Sequence, residues 1–262
     1  MKKTKGYRIW QVIYPVGIYY VVSSLAYFGL ELLLGASEES YMMRQLICAA
    51  ATIPFVMSFY RQDKQLEDTV YGKRRLEWNL TLVRDIVLAA ASGMLLGIAV
   101  NNIIAMTPLI DMSAGFSEAN QSFFAGQMIY ELLGSCLLIP IAEELLYRGV
   151  VYKRLRLLFG VMPAIVFSAL IFGLMHVNVV QLLYAGILGL LLAFLMERTG
   201  RLYAPILGHI AANLAAVVRQ ETGWLAFFYE PTAAGIGFTA VVLAGAGALI
   251  WYQIRLYQKK IV

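Results

Sequence analysis

At 262 residues, 60% hydrophobic and only 14% charged, with mean hydropathy +0.70, the chain has too little charge to coat a soluble globular surface, where about a quarter of residues are charged. Its formal net charge of +5 does not point to nucleic acid, because the basic residues fall in short clusters between apolar runs. Composition therefore excludes an ordinary soluble domain and predicts an all-α polytopic bundle in a lipid bilayer.

In chain order, Met1-Lys2-Lys3-Thr4-Lys5 resembles a signal-peptide n-region, but the apolar stretch behind it, 9–34, outruns the roughly 7–15 residues of an h-region. It is expected to be an uncleaved first span. Further runs near the roughly 20 residues that a crossing helix needs lie at 42–60, 86–106, 123–147, 162–176, 179–196, 202–218 and 235–256, which makes eight predicted spans. Cys48 and Cys136 fall inside apolar segments and read as reduced, buried small hydrophobes, with neither a disulfide framework nor a metal-thiolate motif. The polar stretch 61–85 mixes both signs of charge and is expected to be a solvated loop with an interfacial helix. Loops 107–121 and 220–234 have few charges, and the second holds Trp224, Phe227, Phe228 and Tyr229, an interfacial aromatic belt.

The positions of Lys and Arg orient these spans. With the N-terminus inside, the clusters within 2–8, 61–84, 153–156, 198–201 and 255–260 all fall on one side, and only Arg44 and Arg219 fall on the other. This is the bias of the positive-inside rule, and it predicts cytoplasmic termini at both ends.

Three segments place ionisable or amide groups inside apolar runs. Glu143 and Glu144 sit in Ile139-Pro140-Ile141-Ala142-Glu143-Glu144-Leu145-Leu146-Tyr147-Arg148-Gly149. Charge at bilayer depth is costly, so such residues mark functional sites by default. Neighbours on a helix are about 100° apart, so Glu144 can pair with Arg148 at i,i+4 while Glu143 faces elsewhere, free to serve as a general base in a cavity. Phe172-Gly173-Leu174-Met175-His176 and His209-Ile210-Ala211-Ala212-Asn213 carry the only two histidines. Singly, each has a bland reading: a charge network joining helices, a satisfied core histidine, an asparagine bonding helix to helix. Depth favours a shared role. At about 1.5 Å per residue from the cytoplasmic end of each span, Glu143 lies about 15 Å deep, His176 about 21 Å, His209 about 10 Å and Asn213 about 16 Å. All fall near the middle layer of a core about 30 Å thick. Convergence on one wet pocket relieves the cost of burying them apart.

Together, Glu143-Glu144-x-x-x-Arg148, Phe172-x-x-x-His176 and His209-x-x-x-Asn213 resemble the three motifs of the CPBP intramembrane proteases. That family includes the type II CAAX prenyl endopeptidases and bacterial proteins once grouped as abortive-infection or bacteriocin self-immunity proteins. The resemblance covers 126–218. It implies a catalytic core at 123–220, flanked by three N-terminal spans (1–122) and a last loop and span (221–262). It also implies hydrolysis in the membrane, with Glu143 and His176 activating water, His209 and Asn213 stabilising the oxyanion, and Glu144, Arg148 and Phe172 in support. Two cofactor versions go with it: none, or one divalent metal such as zinc on Glu143, His176 and His209. No His-Glu-x-x-His is present, and the metal-free version is preferred because both glutamates have roles without it. The expected partners are the lipid bilayer and a membrane-associated peptide or protein, CAAX-type processing included, cleaved near the cytoplasmic half of a bacterial plasma membrane; nucleic acid is not expected. A rival reading is a catalytically idle immunity or regulatory protein that binds a peptide or membrane partner with the same fold. A proton-coupled transporter fits less well, since the polar groups crowd into one half of the chain instead of recurring in paired halves.

Overall fold

Apolar segments in lipid must satisfy their backbone hydrogen bonds internally, and the long apolar runs of this chain are helical. The computed structural model describes residues 4–73, 76–176 and 178–261; Lys2, Lys3, Arg74 and Arg75, which entered the charge argument, lie outside them. The helices are α1 (Lys5–Leu34), α2 (Tyr41–Tyr71), α3 (Leu80–Ala105), α4 (Ala114–Phe123), α5 (Met128–Phe159), α6 (Val161–Leu174), α7 (Val179–Thr199), α8 (Tyr203–Thr222) and α9 (Ala233–Ile261). No strand occurs among the described residues, so the protein is all-α.

Each of the eight predicted stretches is largely helical, and α4 is an addition inside a predicted loop. Five helices, α1, α2, α3, α7 and α9, are long and apolar enough to cross a membrane, and a sixth crossing results if α4 and α5 count as one span bent by 109°. The other two predicted spans do not qualify by themselves. With 14 residues α6 is short, and α8 carries His209, Asn213 and Arg219 along its length.

Two boundaries differ from expectation for an electrostatic reason. The second helix runs on to Tyr71 and the fifth to Phe159, so much of the predicted loop 61–85 is helix. Lys64 pairs with Asp68 one turn on (2.6 Å), while Asp63 and Glu67 on α2 hold Arg154 (2.8 Å) and Lys153 (2.6 Å) on α5. On the same face Glu197 of α7 accepts from Arg156 (2.7 Å), Tyr152 (2.6 Å) and Tyr257 (2.7 Å). Mutually paired charges let these helices continue past the apolar limit.

The crossing of α3 with α8 sets the position of one histidine. Gly93 and Gly97 on α3 face Gly208 and Ala212 on α8, two small-x-x-x-small faces of the kind that bring membrane helices close. A Cβ at Gly93 would stand 2.1 Å from the Gly208 carbonyl oxygen, and one at Gly97 would stand 3.0 Å from the Ala212 Cβ. Because the first clash is with backbone, it can be relieved only by moving α8, and His209 is the next residue. Gly93→Ala is therefore expected to cost about 1–3 kcal/mol or more in stability. Gly17→Ala on α1, which meets nothing within 4 Å, should be close to neutral. Thermal unfolding in detergent micelles compares the two, and equal midpoints would refute the close-contact argument.

Along α5 the helix winds wide twice, at Gly134–Leu138 and Tyr147–Tyr152, on either side of Ile139–Leu146. Pro140, lacking an N–H, follows the first wide turn, which absorbs the ladder bond it cannot make. The paired glutamates thus sit on a regular segment held between two deformable turns.

Candidate active site

A cavity of about 780 Å³ lies between the helices, and Glu143 of α5, Phe172 of α6, His176 in the α6–α7 turn, and His209 and Asn213 of α8 all line it. Residues up to 70 positions apart thus meet at one solvent-sized space. Glu144 and Arg148 lie beneath, both with fully buried side chains. The Arg148 guanidinium donates to Glu144 Oε1 (2.7 Å) and to the Gly189 carbonyl (3.1 Å), and stacks 4.5 Å above the Phe172 ring. Phe172 in turn presents its ring edge-on to both imidazoles, at 4.9 Å from His176 and 5.7 Å from His209. It is the apolar hub that fixes both ring planes.

The hydrogen bonds assign each histidine a working nitrogen. His209 Nδ1 lies 2.9 Å from Glu144 Oε1, the same oxygen that receives Arg148, so its Nε2 is turned toward Glu143 Oε2, 3.9 Å away. That gap is too long for a direct hydrogen bond and is of the size that one water or substrate atom bridges. His176 Nδ1 is 2.9 Å from the Phe172 carbonyl oxygen. A carbonyl can only accept, so Nδ1 carries the hydrogen and Nε2 of the neutral ring is an acceptor. Asn213 donates one amide hydrogen to the Ser135 carbonyl (2.8 Å), an oxygen in the first wide turn of α5, and has a second to spare.

These side chains fall within a stretch that matches known proteins. Residues 125–215 match the family described as type II CAAX prenyl endopeptidase Rce1-like. Over 89 residues the chain is 32% identical to the "Putative membrane peptidase YdiL" of Bacillus subtilis (strain 168), a match covering 34% of this chain and 36% of that protein. These residues form a CPBP-family segment. The chain around it is that of an integral membrane protein, and the match spans about a third of the relative's length. No solved structure matches the chain.

Among the described residues no group of three or more His, Cys, Asp or Glu side chains is disposed to hold a metal ion, the set Glu143, His176 and His209 included. Cys48 and Cys136 are buried and unpaired; Cys48 reaches the cavity wall.

Several buried or cavity-edge residues escaped the sequence reading. Glu131, on α5 three turns before Glu143, is fully buried, and neither carboxylate oxygen has a hydrogen-bond partner among the described residues. The rule that flags intramembrane charge applies to it as well as to Glu143. Because an unsatisfied buried acceptor costs about 1–3 kcal/mol, Glu131→Met is expected to raise the unfolding midpoint in micelles. A lowered midpoint would show that this carboxylate is satisfied. Other contributors had no sequence signal. Tyr20 of α1 and Tyr147 of α5 join hydroxyls (3.1 Å) at the cavity edge, and Gly189 of α7 leaves room for Arg148, which a Cβ there would approach to 3.2 Å.

Proposed function

We propose that the protein is an intramembrane endopeptidase that hydrolyses a membrane-associated peptide or protein, with Glu143 as general base. The observation carrying this reading is the shared cavity in which a carboxylate, two imidazoles with oriented Nε2 atoms and an amide donor face one another. The family match and the named relative point the same way.

In the proposed reaction a water lies between Glu143 Oε2 and the imidazoles. Glu143 takes one proton, with His176 Nε2 accepting a hydrogen bond from the same water, as its oxygen adds to the scissile carbonyl carbon. The carbonyl π electrons move to oxygen. In its imidazolium form His209 donates Nδ1–H to Glu144 and Nε2–H to that oxyanion, and Asn213 adds its free N–H. The intermediate collapses as the C–N bond breaks, and Glu143 returns its proton to the departing amine. Glu144 and Arg148 do not touch substrate; they position His209. The low-dielectric surroundings strengthen each of these interactions relative to water.

The experiment is a comparison of membrane proteomes from cells carrying wild type and Glu143→Ala. A precursor that persists uncut only in the variant, and is cut by the purified wild-type protein in lipid, is the expected result. A variant that retains every biological effect of wild type would instead favour the idle immunity or regulatory protein.

A further inference from the structure

The cavity wall is built from particular ends of the helices. It draws on Tyr41 at the start of α2, Ala105 at the end of α3, Phe123 of α4, Gln181 near the start of α7, Gln220 near the end of α8, and Tyr229 beyond it. In an up-and-down bundle these ends share one face. The Lys and Arg residues that pair across α2, α5 and α7 occupy the opposite ends of the same helices. The cavity mouth therefore lies on the face away from the basic clusters, which the positive-inside rule assigns to the extracytoplasmic side. α4 lies at this mouth. Its Phe116, Asn120 and Phe123 line the cavity, Gln121 donates to Glu38 (3.3 Å), and the chain after it packs so closely that a Cβ at Gly126 would stand 2.6 Å from the Glu39 carbonyl.

The chemistry of wall and rim differs. The wall contains no Lys, Arg or Asp among the described residues; apart from Glu143 and the histidines its polar groups are hydroxyls, a thiol and amides such as Gln45, Asn101, Asn120 and Gln181. Such a wall accepts uncharged side chains and offers both donors and acceptors to an extended peptide backbone. Around the mouth, Glu38, Glu39, Asp111, Glu118, Glu221 and Glu230 are exposed. The two arginines of that face are withdrawn: Arg44 is 3% exposed and bonded to the Gly35 and Ser37 carbonyls, and Arg219 is 4% exposed and bonded to Asn102. The rim thus presents negative charge only.

We infer that the substrate is an extended peptide segment of uncharged residues with basic flanks, delivered to the cavity from the extracytoplasmic face past α4. This rests on the proteolytic reading and specifies its substrate. It reverses the expectation of cleavage approached from the cytoplasmic half, because the catalytic cavity opens toward the other ends of the helices.

Two measurements test it. In a Cys48→Ala/Cys136→Ala background, Asn120→Cys should react with a membrane-impermeant maleimide in intact cells; reaction only after permeabilisation would overturn the inference. In lipid nanodiscs, peptides sharing one neutral core and flanked by Lys or by Glu are compared for cleavage by wild type and for binding to Glu143→Ala. The Lys-flanked peptide should be preferred by roughly tenfold at low salt, a preference that shrinks as salt screens the rim and in Asp111→Asn/Glu118→Gln. Indifference to flank charge in both assays would overturn it. Preferential binding without cleavage would sink the peptidase reading and leave the substrate preference standing. Cleavage combined with labelling from the cytoplasmic side would do the reverse.

Discussion

Glu143→Gln is expected to lower turnover by about 10²–10⁴-fold, the range contributed by a positioned general base. Glutamine keeps the size of the side chain and its ability to hydrogen-bond a water in the cavity, but it cannot take a proton at neutral pH. Peptide binding and the unfolding midpoint should therefore change little, so that kcat falls while KM is nearly unaffected. This separates Glu143 from its neighbour. Glu144 is fully buried and bonded to both Arg148 and His209, so Glu144→Gln should disturb folding and catalysis together. Retained turnover in Glu143→Gln would show that another group activates water.

Arg148→Leu is expected to be the most damaging single change to stability. The guanidinium is fully buried, pairs with Glu144 (2.7 Å), bonds the Gly189 carbonyl (3.1 Å) and stacks on Phe172. Deleting one member of a buried pair strands the other charge and costs about 3–5 kcal/mol. The double variant Glu144→Leu/Arg148→Leu should recover part of that loss, because replacing both charges by apolar groups is often neutral. It should not recover activity, since His209 Nδ1 then loses its anchor. Chemical denaturation in micelles, read beside peptide cleavage, gives both quantities. A single variant as stable as wild type would mean that the pair is not the keystone of the site.

Much of this site was legible before any coordinates. Helical periodicity alone indicated that Glu144 and Arg148 could pair and that Glu143 would look elsewhere, because i,i+4 geometry is local. Hydropathy located the helices, because lipid leaves an apolar chain no other way to satisfy its backbone. Limits set by partners on other helices were not legible. The extension of α2 to Tyr71 depends on Arg154 and Lys153, far along the chain, and the crossing of α3 with α8 depends on two glycines whose meeting no window reveals. Glu131 is a different case, a charge in an apolar run that the same cost argument could have flagged.

The amino-acid sequence by itself determined that this protein is a helical membrane bundle and which few polar residues are too expensive to be there without purpose, since both follow from transfer free energies residue by residue. Tertiary structure alone decided which nitrogen of each histidine faces the cavity, that Phe172 orients both rings, and toward which ends of the helices the cavity opens. Those properties depend on distances between helices, set by glycine contacts and buried ion pairs between residues remote in the chain.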